Sequence, residues 1–313
     1  MELCGRLRGA SGVCDWGDIV EKWPIGLALQ FMKRRLAQGV AGRFAIGYVI
    51  VCGLLYFQQQ RLMFHPTRSL EHTPNLYQLK YEEIWIPVVN AAGKTEQLHG
   101  WWIAGKKSNA PVMLYFHHNA MNIGSNVSQA LQFHQLGYAV VLFDYRGFGQ
   151  SSGDFPTETQ VYEDGQAAWT YLTQTRKVAP SKIVIYGHSI GSAIAIDIAS
   201  KHPEAAALIV QSSFTSMRDM TKRFGVYWIL PIELLLRQRF ESLDKMKAIK
   251  MPVMIIQGTE DFQIPVEMGT KLYAAAPEPK QLLTIAGGGH DNHMAEPNLQ
   301  KVQQFINSVI LLK

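Results

Sequence analysis

The sequence predicts an α/β fold with a mostly parallel central sheet and helices on both faces. Short apolar runs typical of buried strands alternate with helical segments from residue 111 to the end of the chain. The chain has 313 residues, 47% of them hydrophobic, which is enough for one large domain and an appendage. The repeated strand, loop and helix order favours parallel pairing.

The strands and helices follow in order. Tyr81–Val88 and Gln97–Ala104 are predicted to form a hairpin around a turn at Asn90–Lys94. Apolar runs then predict strands at Pro111–His117, Tyr138–Phe143, Ile183–Tyr186, Ala206–Gln211, Pro252–Gln257 and Gln281–Ile285. Helices are expected at Ser125–Gln135, Thr157–Thr175, from Ile190 to the break at His202 and Pro203, at Val266–Ala276 and at Leu299–Leu312.

A Gly-His-Ser-Ile-Gly motif at Gly187–Gly191 lies between a predicted strand and a predicted helix. A serine on such a turn has strained backbone geometry that lifts its Oγ above the sheet. Glycines two positions to either side are needed where strand and helix approach too closely for a Cβ. The five-residue pattern alone is more often only a turn, but the flanking elements predict Ser189 as a nucleophile.

An acid and a base follow Ser189 in the order that this chemistry uses. Asp261 comes after the strand beyond the nucleophile helix, and its carboxylate would fix the tautomer of the base. Its neighbour Glu260 is the alternative acid. His290 follows the last strand on a loop with three glycines and is predicted to be the general base.

Two other histidines are weaker candidates for the base. His293 is expected to be exposed. His188, beside the nucleophile, is expected to point away from the site and to pack.

The oxyanion formed by attack of Ser189 needs two hydrogen-bond donors. The backbone N–H of Ile190 is one candidate, because it opens the nucleophile helix. The second is predicted in the loop after Pro111–His117, at Asn119. Two such donors make acyl transfer from an ester, thioester or amide the natural reaction class.

Charge and cysteine content exclude several other classes of function. Residues 1–61 hold eight of the 30 Lys and Arg and four of the 25 Asp and Glu. The rest of the chain therefore has 22 basic and 21 acidic residues. Because this part is nearly neutral, it lacks the excess of basic residues that is typical of nucleic-acid-binding domains. Cys4, Cys14 and Cys52 precede the globular part and have no metal-type spacing. No metal or cofactor is predicted, and the oligomeric state stays open.

An apolar stretch near the N-terminus predicts a membrane helix over residues 39–60. Phe44–Phe57 has fourteen residues without a charge, and from Gly39 the span is about nineteen, close to the ~20 of a bilayer helix. A buried core helix and a cleaved signal peptide are the alternatives, and no small-x-small site follows the run. Lys33–Arg35 and Arg43 place the N-terminus in the cytoplasm and residues 61–313 on the far side.

Two further segments complete the organisation. Residues 1–38 have no usable pattern and are expected to be a weak helix, disordered or upstream of the true start. Ser216–Phe240 breaks the strand–helix rhythm with aromatic and leucine residues among arginines. It is interpreted equally well as an amphipathic helix packed on the sheet or as a short cap with apolar surface for an acyl chain or a bilayer.

Taken together, these motifs resemble those of the membrane-anchored α/β-hydrolase-domain serine hydrolases, a group that includes lysophospholipases and protein depalmitoylating enzymes. The resemblance implies the α/β-hydrolase fold and Ser189, Asp261 and His290 as the catalytic triad. One departure is His118, where that family usually has glycine. The matching segments are Arg61–Pro66, His117–Gly124, Asp144–Gly153, Gly187–Gly191, Ser213–Ser216, Gly258–Pro265 and Gly288–His290.

The sequence therefore predicts a single-pass, membrane-anchored serine hydrolase that cleaves an acyl ester of a lipid or lipidated substrate. The lipid part is an inference from the anchor and from the apolar residues of Ser216–Phe240. A general carboxylesterase or a small-peptide serine peptidase is the enzymatic alternative. A non-catalytic binding module is the remaining one, although neither the triad nor the glycines around Ser189 are lost.

Overall fold

The computed structural model describes residues 24–223, 225, 228–291 and 295–310. These residues fall into two compact units, the first ending at Phe57 and the second beginning at Gln58. The alternative base His293 lies outside the described residues, as do residues 1–23 and part of the 216–240 segment.

The first unit is, over its described residues, one long helix. Helix α1 spans Pro24–Met63, so its last turn belongs to the second unit. Within it, Met32–Met63 is long and apolar enough to cross a membrane, and 6% of its most apolar window is buried. The helix extends beyond the expected residues 39–60 because charged side chains do not interrupt an α-helix.

The described residues of the second unit contain ten strands. Eight of them form the central sheet, and β1 and β5 form a separate two-residue pair. The strands are β1 (His65–Pro66), β2 (Glu82–Val89), β3 (Thr95–Ile103), β4 (Val112–Phe116), β5 (Ala120–Met121), β6 (Ala139–Phe143), β7 (Ile183–His188), β8 (Ala207–Gln211), β9 (Val253–Gly258) and β10 (Lys280–Ile285).

Helices connect these strands. The α-helices of the second unit are α2 (Val127–Gln135), α3 (Glu158–Thr170), α4 (Ile190–Lys201), α5 (Met217–Arg223), α6 (Ile232–Leu235), α7 (Ser242–Met246), α8 (Val266–Ala275) and α9 (Asn298–Ile310). A single turn of π-helix, Tyr171–Thr175, continues α3 and completes the segment that the sequence predicts as one helix.

The strand order of the central sheet is β10-β9-β8-β7-β4-β6-β3-β2. Strand β3 runs antiparallel to β2 and β6, and the other pairs are parallel. The chain leaves β4 for β6 on one side and then reaches β7 on the other. Open α/β sheets bind ligands at such a reversal, beside the carboxyl ends of the strands. The predicted hairpin and the mostly parallel sheet are confirmed.

Helices cover both faces of the sheet because successive strand residues point to opposite sides. Leu114 and Phe116 of β4 belong to one buried cluster with residues of α3 and α4. Met113 and Tyr115 of the same strand belong to a second cluster with residues of α2 and α9. The continuous apolar strands of the sequence are therefore buried on both faces.

Among its described residues, the 216–240 segment contains two short α-helices, α5 and α6. Phe240 belongs to the buried core cluster of the fold, and Ile232 is also buried. Trp228, Ile229 and Leu234 in the same segment are exposed. The apolar residues thus serve partly as core and partly as surface.

Candidate active site

Ser189 occupies a strained turn between β7 and α4. Its φ of 57° and ψ of −123° are unusual for a residue with a side chain. A Cβ at Gly187 would overlap the Gly191 carbonyl oxygen, and one at Gly191 would overlap the Phe116 carbonyl oxygen. Glycine is therefore required at both positions, as the spacing of the motif predicts.

Strand β8 holds this turn in place. The Ser189 N–H donates to the Gln211 carbonyl at 3.0 Å. The Ser192 hydroxyl lies within hydrogen-bond distance of both the Gly187 and the Gln211 carbonyl oxygens, at 2.6 and 2.9 Å. These contacts cross from β7 to β8 and fix the conformation that the strained backbone needs.

Asp261 and His290 are in direct contact. Nδ1 of His290 lies 2.8 Å from Oδ2 of Asp261, and the other carboxylate oxygen accepts the N–H groups of Gln263 and Ile264 at 2.9 and 2.8 Å. Burial alone would raise the pKa of Asp261, but the hydrogen bonds from His290 and these backbone groups outweigh it and lower the pKa. The carboxylate is therefore ionised and orients the imidazole.

The backbone of His290 is fixed beside the residue before Ser189. Its carbonyl oxygen lies 3.1 Å from Nε2 of His188 and accepts the Ser212 hydroxyl at 3.0 Å. Among the described residues, no hydrogen bond joins the Ser189 hydroxyl to the His290 ring. Such contacts are often long in ligand-free enzymes and tighten when substrate binds.

His188 is buried, as expected, but it does not point away from the site. Its ring lies 5.2 Å from that of His290 between centroids, and it lines the cavity beside the site. The direction of this side chain depends on how the last loop folds back over β7. The sequence around Gly187–Gly191 carries no signal for that contact.

The cavity beside the site has a volume of about 610 Å³. Amide and hydroxyl side chains dominate its lining, and neither lysine nor arginine occurs among the described lining residues. The lining also includes the Asp291 carboxylate, so the cavity suits a polar group without negative charge. The lining residues are His118, Asn119, Ala120, Met121, Ser125, Asn126, Ser128, Gln129, Gln132, His188, Gln263, His290, Asp291 and Ala295.

Ile190 and Asn119, the predicted oxyanion donors, lie at the start of α4 and in the loop between β4 and β5. Ile190 is the first residue of α4, so its N–H has no intrahelical acceptor. Asn119 is held by two bonds: its side chain donates to the Met63 carbonyl at 2.6 Å, and its own carbonyl accepts the His65 N–H at 2.8 Å. Within the described part of the chain, no acceptor pairs with the Asn119 N–H.

His118 stabilises the same loop. Its Nδ1 accepts the Ala120 N–H at 3.2 Å, and its ring lies 5.7 Å from that of His188. Burial lowers the pKa of His118, nearby Asp291 opposes this effect, and nearby His290 adds to it. The imidazole is therefore neutral at neutral pH and can accept this bond. The histidine that replaces the usual glycine becomes part of the cavity wall.

A buried pair beneath the loop was not identified from the sequence. His117 is fully buried, donates from Nδ1 to the His118 carbonyl at 2.8 Å, and has Nε2 3.5 Å from Asp144. Burial lowers the pKa of His117 to about 3 and raises that of Asp144 well above its usual value. Asp144 also accepts the Ile123 N–H at 2.9 Å. The sequence offered one signal for this pair, namely that a polar residue follows each of the two buried strands β4 and β6.

One group of described side chains has donor atoms close enough for a metal ion. Ligand atoms of His188, His290 and Asp291 lie within 4.8 Å of one another. Nδ1 of His290 is already bound to Asp261, and Nε2 of His188 contacts the His290 carbonyl. The arrangement of these groups is better suited to acid–base chemistry.

Comparison with known proteins identifies the family. A sequence profile of the prolyl oligopeptidase family matches residues 125–310, which is more than half of the chain. The chain belongs to this family of α/β-hydrolase-domain proteins. It is 31% identical over 262 residues to an uncharacterised protein of Mycobacterium tuberculosis, covering 83% of this chain and 90% of that protein. The family resemblance inferred from the motifs is confirmed at this level.

A second sequence relative supports the family, and a solved structure supports the fold. The α/β hydrolase domain-containing protein 17B of Homo sapiens is 32% identical over 205 residues, covering 64% of this chain and 67% of that protein. The structure of an esterase from Pyrococcus furiosus superposes with a TM-score of 0.65 at 20% identity, covering 79% of this chain and 98% of the esterase. The α/β-hydrolase fold predicted from the sequence is confirmed, and the chain is a hydrolase of this family.

Proposed function

We propose that this protein is a serine hydrolase that cleaves acyl ester or thioester bonds of a lipid or lipidated substrate. The observation that carries the proposal is the 2.8 Å contact between His290 and Asp261, at the same end of the sheet as the strained turn of Ser189. An ionised carboxylate behind an imidazole, near a serine forced out of regular structure, is the arrangement that activates a hydroxyl.

The proposed reaction proceeds through an acyl-enzyme. Nε2 of His290 takes the proton of Ser189 as Oγ attacks the acyl carbonyl, and the N–H groups of Ile190 and Asn119 stabilise the oxyanion. The ester C–O or thioester C–S bond then breaks, and the leaving group takes the proton from His290. Water, deprotonated by His290, attacks the acyl-enzyme and releases the acid and free Ser189. No cofactor or metal takes part.

A lipid substrate is supported by two properties of the chain. Met32–Met63 is long and apolar enough for a bilayer, so the enzyme would work where lipid esters are abundant. The lining of the cavity has amides, hydroxyls and the Asp291 carboxylate, without lysine or arginine among the described residues, and suits a polar group without negative charge. We infer that this cavity receives the polar side of the ester.

We also propose that α1 anchors the enzyme as a single-pass membrane protein. Lys33–Arg35 precede the apolar part of α1, which favours a cytoplasmic N-terminus and a catalytic unit on the far side. Protease protection in sealed membranes tests this orientation. Digestion of the catalytic unit from the cytoplasmic side would contradict it.

Small-peptide hydrolysis is the second candidate function. It is favoured by the match to the prolyl oligopeptidase profile and by Asp291, whose side chain is 74% exposed at the cavity. A carboxylate there would pair with the free amino group of a peptide. A general carboxylesterase would require neither feature.

One substrate series separates these candidates. The full chain in detergent micelles is offered p-nitrophenyl esters from acetyl to palmitoyl and a set of aminoacyl p-nitroanilides, with Ser189→Ala as the blank. A kcat/KM that rises with acyl length supports the lipid-ester proposal. Cleavage of aminoacyl amides alone would transfer the proposal to the peptidase, and a maximum at the shortest esters would favour a general carboxylesterase.

A further inference from the structure

The side chain of Gln59 ties the last turn of α1 to the 216–240 segment. Its Nε2 donates to the Leu235 carbonyl at 2.6 Å, and its Oε1 accepts the N–H groups of Arg237 and Gln238 at 2.8 and 3.3 Å. Gln59 is 9% exposed. Gln59 therefore lies within hydrogen-bond distance of three backbone groups around α6. It follows Phe57, the last residue of the apolar run, by two positions.

The residues around α6 include large exposed apolar side chains. Trp228 is 86% exposed, Ile229 70% and Leu234 78%. These three residues are called the interfacial patch below. Leu234 directly precedes Leu235, whose carbonyl accepts the bond from Gln59. Clustered exposure of this kind marks an interaction surface, and tryptophan is enriched where a protein meets the bilayer interface.

Exposed cationic residues flank the interfacial patch on both sides in sequence. Lys222 and Arg223 end α5, and Arg237 and Arg239 follow α6. Apolar side chains among long cationic ones form the usual composition of a surface that lies on anionic phospholipid. The acidic residues among the described part of the segment, Asp219 and Glu233, are ion-paired with Lys222 and Arg218.

A hydrogen bond links the cationic flank to the catalytic loop. Nη2 of Arg223 donates to the Phe262 carbonyl at 2.8 Å, and the Phe262 side chain is 84% exposed. Phe262 directly follows Asp261 and precedes Gln263, which lines the cavity. The flank of the interfacial patch is therefore connected to the loop that carries the acid of the site.

We propose that the interfacial patch of Trp228, Ile229 and Leu234 inserts into the interfacial layer of an anionic phospholipid bilayer. The proposal rests on the membrane anchoring proposed above and goes beyond it, since an anchor alone leaves the catalytic unit free to rotate in the aqueous phase. Within the second unit, the hydrogen bonds of Gln59 join α6 to a residue that follows the apolar run of α1 by two positions in the sequence. The catalytic unit is thereby held with one defined face on the lipid.

Spin labels in the full chain test this proposal. Cys4, Cys14 and Cys52 are replaced by serine, and a nitroxide is attached at Ile229→Cys or, as a second variant, at Leu234→Cys. Val89→Cys is the matched control, because Val89 is apolar and 61% exposed on strand β2. Leu54→Cys, in the apolar part of α1, reports on anchoring. The protein is reconstituted in vesicles of phosphatidylcholine and phosphatidylglycerol.

Collision rates with oxygen and with a water-soluble nickel complex give the position of each label. We expect the Ile229 and Leu234 labels to favour oxygen at interfacial depth and the Val89 label to favour nickel. A Leu54 label in lipid, with the Ile229 and Leu234 labels in water, would overturn the interfacial patch and leave the anchor standing. A Leu54 label in water would overturn both proposals.

Discussion

Nδ1 of His290 lies 2.8 Å from Oδ2 of Asp261, although 29 positions separate the two residues in the sequence. The other oxygen of Asp261 is held by two backbone N–H groups of its own loop. The carboxylate therefore has a fixed direction, and it fixes the imidazole. Since Nδ1 donates to Asp261, Nε2 is left as the basic nitrogen.

Replacing Asp261 by asparagine should remove most of the activity. An amide cannot hold His290 in the required tautomer, and in a related triad such a change lowers kcat by about 10⁴. We expect a fall of about 10³–10⁴ in the hydrolysis of p-nitrophenyl esters. Glu260→Gln is the matched control, because Glu260 is exposed and should be near wild type. Loss of activity in Glu260→Gln alone would assign the acid to Glu260.

The stability contributed by Asp261 should disappear in acid. Its pKa is lowered in the folded protein, so the unfolded chain takes up the proton first as the pH falls. The contribution is present above the ordinary carboxylate pKa of about 4 and is lost as the pH falls through the lower folded value. The difference in unfolding free energy between wild type and Asp261→Asn should shrink from about pH 5 to pH 2. Urea titrations measure it, and a growing difference would contradict the account.

Adding a single methyl group at Gly191 should disrupt the nucleophile turn. A Cβ there meets the Phe116 carbonyl oxygen, which is backbone and cannot rotate away. We expect Gly191→Ala to cost about 3 kcal/mol in unfolding free energy and to abolish ester hydrolysis. Gly47→Ala is the control, since a Cβ at Gly47 meets nothing within 4 Å. Equal melting temperatures for the two variants in circular dichroism would refute the steric argument.

The sequence predicted the sheet and three site residues because those features depend on local pattern. Continuous apolar runs indicate strands buried on both faces, and a serine between two close-approach glycines indicates the turn at Ser189. The positions of Asp261 and His290 at strand ends follow from the rule that parallel strands share one functional edge. Whether these three residues act as a triad remains a prediction.

The features missed by the sequence are contacts between distant segments. The hydrogen bonds of Gln59 to α6 span 176 to 179 positions, and nothing in the residues around either end indicates the partner. The direction of His188 depends in the same way on the fold of the loop that carries His290. The early start of α1 was missed for another reason, because the hydropathy pattern marks the bilayer span and not the helix.

The buried ion pair of Arg146 and Asp164 should be important for stability. Arg146 is 1% exposed, and its Nε donates to Asp164 at 2.6 Å. Asp164→Asn removes the fully buried carboxylate of this pair and leaves Arg146 only the more exposed Glu163 and Glu96, so we expect a loss of about 3–5 kcal/mol in urea unfolding. Glu163→Gln removes a carboxylate from the same guanidinium but at a side chain that is 42% exposed, so it should cost about 1 kcal/mol or less. Equal losses would show that burial does not decide the effect.

The central claim is that Ser189 is an activated nucleophile. Fluorophosphonate labelling of the full chain in detergent micelles tests it most directly, with wild type beside Ser189→Ala and folding checked by circular dichroism. The account predicts that only the wild type is labelled and that mass spectrometry finds the adduct on the peptide containing Ser189. A folded wild type that does not react, or equal labelling of Ser189→Ala, would contradict it.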